Sequence, residues 1–143
     1  MTCVLGIDPS PAKTGLVVLQ ATDKVAVPVL RHMSLCRPKP KVKGHDRQSA
    51  HASDVIDLLN EFRPELVVIE GYGLNFAHKS SVVPLVELGG LLRYFLRQYE
   101  YPYLCPPPGS HKEFITGKGN ATKSKIIEVS KSRWGLEAAS DDE

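Results

Sequence analysis

The chain has 143 residues, which suits one domain, since domains commonly run to about 100–150 residues; 42% of its side chains are apolar, enough for a core and too many for a disordered segment. Apolar runs such as Leu66–Ile69 are far too short to cross a bilayer, and the N-terminus lacks the order of a secretory signal, so a cytoplasmic protein with no membrane partner is expected. The formal charge of +2 hides a split: Glu137, Asp141, Asp142 and Glu143 are four of the 16 acids, so the first 136 residues carry 18 basic against 12 acidic side chains, or +6.

Cys3–Asp8 is an apolar run broken by Pro9 and Pro11; Gly15–Gln20 and Val25–Leu35 follow as further strand-like runs, and their short connections predict an antiparallel meander. Arg37–Arg47 reads as a basic loop, with Arg37, Lys39, Lys41, Lys43 and Arg47 set among Pro38, Pro40 and Gly44. From about Asp46 to Phe62, Ala52, Val55, Ile56, Leu59 and Phe62 recur at helical spacing, and Arg63-Pro64 ends that helix. Glu65–Glu70 is an unalternating apolar run between two acids, expected as a parallel strand covered on both faces. A loop, Gly71–Ser81, leads to a second helix over about Val82–Tyr99, where Gly89-Gly90 asks for close packing or an interface. Pro102–Cys105 is a short strand. Ser110-His111-Lys112-Glu113 has the pattern of a capping box, and a last helix covers about Thr122–Arg133. The order β-β-β-α-β-α-β-α gives an α/β fold: a mixed sheet with helices on its faces.

The three cysteines, Cys3, Cys36 and Cys105, form no C-x-x-C pair and read as structural thiols of a reducing compartment. The five histidines have no ligand-like spacing, and His111 is given no catalytic role. Two acids are more informative. Asp8 and Glu70 each end an apolar strand, where a carboxylate is costly unless paired or bound to a cation. In neighbouring strands they would converge. Magnesium takes one or two carboxylates plus substrate phosphate, and two such ions about 3.5–4 Å apart can clamp a phosphodiester. The run Ser140–Glu143 is either a solvated acidic tail or the source of a third carboxylate. Lys112, Lys118, Lys123, Lys125, Lys131 and Arg133 outnumber Glu113 and Glu128, a basic stripe suited to phosphates. Gly117–Ser124 is not a P-loop, and Gly71-Tyr72-Gly73 lacks the third glycine of a dinucleotide fingerprint.

Gly6-Ile7-Asp8-Pro9-Ser10-Pro11-Ala12-Lys13-Thr14-Gly15, Val68-Ile69-Glu70, Thr116-Gly117-Lys118-Gly119-Asn120-Ala121-Thr122-Lys123 and Ser140-Asp141-Asp142-Glu143 together resemble the RuvC family of Holliday-junction resolvases, its phage-type members above all. The motifs occur in the family's order over essentially the whole chain. The resemblance implies a single RNase H-like domain over residues 1–143, with a five-stranded sheet. It implies a crossover junction endodeoxyribonuclease that nicks four-way DNA symmetrically, works as a homodimer in recombination and repair, and uses two Mg²⁺ ions that Mn²⁺ can replace. By this resemblance Asp8, Glu70 and Asp142 are metal ligands, with Asp141 the alternative if the register slips by one. Lys112 and Lys123 are the lysines at the junction and scissile phosphate, and Lys118 is a further DNA contact. The family's next acid would fall three residues after Asp142, so a chain cut short of its last helix is expected. An aromatic in the loop after Glu70 would wedge into the junction, either Tyr72 or Phe76. The rivals are a RuvX-like RNA-processing or transcription factor and a nucleic-acid-binding module without cleavage. An actin-like ATPase lacks its second D-x-G turn here.

Overall fold

The computed structural model describes residues 2–22, 25–73 and 82–135. β1 (Thr2–Asp8), β2 (Thr14–Thr22) and β3 (Val25–Cys36) form the antiparallel meander, with Asp8 opposite Gly15 and Thr14 opposite Cys36. α1 (Gly44–Phe62) starts inside the basic segment, so residues 44–47 are helical and the expected loop is shorter. Asp46 in its first turn complements the positive end of the helix dipole. The helix stops at Arg63, which turns left-handed at φ 45° and donates its N–H to the Leu59 carbonyl at 3.0 Å. Pro64 then forbids continuation.

β4 (Leu66–Ile69) lies parallel to β1, and β5 (Tyr103–Leu104) closes the far edge, giving the order β3-β2-β1-β4-β5. α2 (Val82–Gln98), α3 (Pro108–Thr116) and α4 (Lys123–Trp134) complete the described elements. α3 begins two residues before Ser110, and no side-chain cap bond forms at its N-terminus. The expected capping box is thus unused: Pro108, with φ preset and no N–H to satisfy, opens the helix, and the Ser110 amide bonds the Pro107 carbonyl at 2.9 Å. α4 is capped as its sequence suggests, the Thr122 hydroxyl accepting from the Lys125 amide at 3.4 Å.

The core lies on one face of the sheet. Leu5, Ile7, Leu16, Val18, Val67 and Ile69 point into it, against Ala52, Val55, Leu58 and Leu59 of α1 and Leu88, Leu92 and Leu96 of α2. Each fully enclosed leucine contributes about 1.5–3 kcal/mol by leaving water. β4 was expected to be covered on both faces, yet only Val67 and Ile69 are buried while Leu66 and Val68 are half-buried. α3 and α4 contribute no buried residue, so the opposite face of the sheet stays open above β1 and β4. That opening is where the polar residues gather.

Candidate active site

Strand alternation decides which residues share the open face. Leu5 and Ile7 point into the core, so Gly6 and Asp8 point away from it; by the same count Val68 and Glu70 do so on β4. Parallel register puts Ile7 beside Ile69, and the Glu70 amide donates to the Ile7 carbonyl at 2.9 Å. Asp8 and Glu70 therefore leave neighbouring strands at the same level and on the same side. Their carboxyl groups are within hydrogen-bonding reach of each other.

The turn after Asp8 is fixed from two directions. Thr14, fully buried, donates from its hydroxyl to the Ser10 carbonyl at 3.2 Å. His51 of α1, also fully buried, holds the Pro11 carbonyl through Nε2 at 3.2 Å. Behind it, burial pushes the Cys36 thiol up to about 12, helped by a hydrogen bond to Asp54, so Cys36 is inert at neutral pH. Burial also holds His51 below its ordinary value.

The chain after Glu70 meets the segment that leads into α3. The Gly71 amide donates to the Pro106 carbonyl at 2.8 Å, and a Cβ at Gly71 would press on the Cys105 and Pro106 carbonyls. Only a residue without a side chain lets the two backbones approach so closely. This contact delivers the start of α3 to the acidic pair. His111 Nε2 stands 3.4 Å from Glu70 Oε1, and the side chains of Lys112 and Lys123 act electrostatically on Glu70. Gly6, Asp8, Gly15, Val17, Met33, Val68, Glu70, Pro106 and His111 line a cleft of about 370 Å³.

Burial, and then the crowding by Asp8, raises the Glu70 carboxyl to about 8, while Lys112 and Lys123 pull it down. Two carboxylates so close cannot both ionise cheaply unless positive charge joins them. A divalent cation supplies that charge, so the pair fits a metal. Among the described residues no three His, Cys, Asp or Glu side chains are arranged to enclose an ion. Asp142 and Asp141, as well as Phe76, lie outside the described residues.

The other sequence candidates separate. Lys118 is exposed in the α3–α4 turn, its amide bonded to the Thr116 hydroxyl at 3.2 Å. Tyr72 packs back onto α2: its hydroxyl donates to the Val86 carbonyl at 3.1 Å and accepts from Arg93 Nη2 at 2.9 Å, with the guanidinium 5.0 Å from the ring centre. It sits over Gly89, which explains one glycine of the pair; a Cβ at Gly90 would meet nothing. His111, passed over in the sequence, is the residue that linear reasoning missed. No spacing signals it, because its place beside Glu70 depends on the Gly71–Pro106 contact.

No family model matches the chain. It is 28% identical over 126 residues to the crossover junction endodeoxyribonuclease RuvC of Synechococcus sp. (strain CC9902), an alignment covering 88% of this chain and 79% of the relative. The similarity to RuvC resolvases thus runs over most of the chain. Its RNase H-like fold agrees: Thermus thermophilus RuvC, solved in complex with a Holliday junction substrate, superposes with a TM-score of 0.81 at 24% identity, over 98% of this chain and 84% of that one. The yeast mitochondrial Holliday junction resolvase Ydc2 superposes with a TM-score of 0.67 at 13% identity, over 97% of this chain and 65% of its own. The acids brought together by β1 and β4 are those of the motifs Gly6–Gly15 and Val68–Glu70.

Proposed function

We propose that this chain is a RuvC-family endodeoxyribonuclease that resolves four-way DNA junctions by paired, symmetric nicks. We further propose that Asp8 and Glu70 hold its catalytic metal, Mg²⁺ or in its stead Mn²⁺, together with Asp142. The observation that carries this reading is the convergence of Asp8 and Glu70 at the ends of parallel strands, on the open face, where Lys112 and Lys123 act on Glu70 by their charge. When bound, a pair of divalent ions activates water and neutralises the charge that builds on the phosphate oxygens.

The chain's own residues do the rest. Asp8 and Glu70 are held by backbone register, so the acidic pair needs no rearrangement to meet a phosphodiester. Lys112, half-buried beside Glu70, accepts the scissile phosphate's charge; Lys123 and Lys118 take flanking phosphates. Water adds to phosphorus and the bond to the 3′ oxygen breaks, leaving 5′-phosphate and 3′-hydroxyl ends. Tyr72 braces the loop after Glu70 against α2, and Tyr72 or Phe76 is the aromatic for the junction centre.

Two symmetric cuts need two sites related by a two-fold axis, and a homodimer provides them. The outer side of α2 supports this role, with Val83 65%, Val86 43% and Tyr94 58% exposed and Gly90 open beside them. The test is cleavage of a labelled four-way junction with Mg²⁺. Symmetric nicks are expected, lost in Asp8→Asn and Glu70→Gln while junction binding persists. Binding without cutting by the unmodified chain, or a preference for a linear RNA–DNA hybrid, overturns the reading.

A further inference from the structure

The RuvC resemblance assigns carboxylates and lysines to the chemistry and gives position 111 nothing. The structure puts an imidazole there, in the first turns of α3 and on the cleft wall that faces both acids. We propose that His111 is a metal ligand, sharing one divalent ion with Glu70 and making the site a mixed nitrogen–oxygen one. The proposal rests on the metal-site reading above and adds to it a residue and a metal preference.

The separation of the two side chains carries the argument. His111 Nε2 and Glu70 Oε1 face each other at 3.4 Å. That is longer than a charge-assisted hydrogen bond, which closes to about 2.7–2.9 Å. It falls within the separation of two donors on one ion, because bonds of about 2.0–2.2 Å at octahedral or tetrahedral angles set neighbouring ligands roughly 2.8–3.6 Å apart. The imidazole is also held in place. The Gly71–Pro106 contact fixes the approach of α3, and the His111 side chain, 35% exposed, keeps one edge open to the cleft. Asp8 also lines the cleft and acts on the imidazole by its charge; no three such side chains among the described residues enclose an ion, so the shared ion rests on the Glu70–His111 pair.

A nitrogen ligand changes which ion is preferred. Magnesium binds oxygen and keeps most of its water, whereas transition ions accept imidazole readily. The consequence is a site that takes Mn²⁺ more tightly than an all-carboxylate site would, with little gain for Mg²⁺.

The test uses the full chain without DNA and the metals alone. Mn²⁺ is titrated by calorimetry, and the bound ion is read by pulsed electron paramagnetic resonance for coupling to a directly coordinated ¹⁴N. The unmodified chain should show that coupling. His111→Ala and His111→Gln should both lose it and should weaken Mn²⁺ binding on the order of tenfold, with Mg²⁺ binding held within about threefold. His111 is partly exposed, so both variants should keep the native circular dichroism spectrum. Mn²⁺ bound without nitrogen coupling, or coupling that survives in His111→Ala, overturns the role of His111 and leaves the carboxylate site standing. Failure of the unmodified chain to bind Mn²⁺ or Mg²⁺ overturns both.

Discussion

Gly89 of α2 offers a double-mutant experiment whose sign reverses. Taken alone, Gly→Ala inside a helix stabilises by about 0.8–1.0 kcal/mol, because alanine loses less backbone entropy. At Gly89 the added methyl would overlap the Tyr72 hydroxyl. That hydroxyl cannot simply swing aside, since it bonds the Val86 carbonyl and receives Arg93. Displacing it forfeits about 1 kcal/mol for the neutral bond and about 1.5 kcal/mol for the one from the guanidinium. Set against the helix gain, Gly89→Ala should destabilise the chain by about 1.5 kcal/mol. In a Tyr72→Ala background the obstacle is gone, and the same substitution should stabilise by up to about 1 kcal/mol. Urea unfolding of the four proteins closes the cycle, at one fixed protein concentration because the stability of the proposed dimer would depend on it. A Gly89→Ala penalty of the same size in both backgrounds would refute the packing argument. So would stabilisation in the unmodified chain.

Other expectations are more direct. Lys118→Ala should weaken junction binding and flatten the plot of log affinity against log salt by about 0.9; an unchanged slope removes Lys118 from the phosphate contacts. His51 resists protonation in the fold, so its contribution to stability is complete above about pH 6.5 and is lost as pH falls toward its lowered native value. His51→Gln should therefore show a smaller stability loss between pH 7 and pH 5, measured by urea midpoints, and equal losses would count against the assignment. Thiol titration of the native chain at about pH 8 should modify the exposed Cys105 first and spare Cys36 until unfolding. Leu92→Ala, at a side chain 1% exposed between helix and sheet, should cost about 3 kcal/mol with cleavage retained under stabilising conditions.

Much of this architecture is written in local pattern. The helical spacing of Ala52, Val55 and Leu59 and the runs that became β1, β2 and β4 are legible because one buried face repeats along each element. The convergence of Asp8 and Glu70 could be reasoned from two strand-end acids, since adjacency in a sheet is a short step from adjacency in type. Three features were not legible, each for a nonlocal reason. Ser110–Glu113 matches a capping box, but Pro108 starts the helix earlier and uses up the position where the box would act. Residues 65–70 read as covered on both faces because apolar content does not tell how much helix lies above a strand. The place of His111 beside Glu70 depends on the contact between Gly71 and Pro106, which are remote in sequence.

The same asymmetry explains how the site can exist at all. An acidic pair crowded at a strand end opposes folding, as the upward shift of Glu70 shows. The cost is tolerable because β1 and β4 are anchored elsewhere: their other face is packed against α1 and α2, and Leu5, Val67 and Ile69 are essentially inaccessible. Leaving the face of Asp8 and Glu70 half-covered then keeps the cleft open. A second helix layer pressed onto Gly6, Val17 and Val68 would add burial and close the cleft. The segment leading into α3 instead meets the chain just past the end of β4, through the carbonyl of Pro106, and α3 brings His111 and Lys112 without contributing a buried side chain. Stability and chemistry are thus divided between the faces of one sheet, and substitutions that affect one should leave the other largely intact.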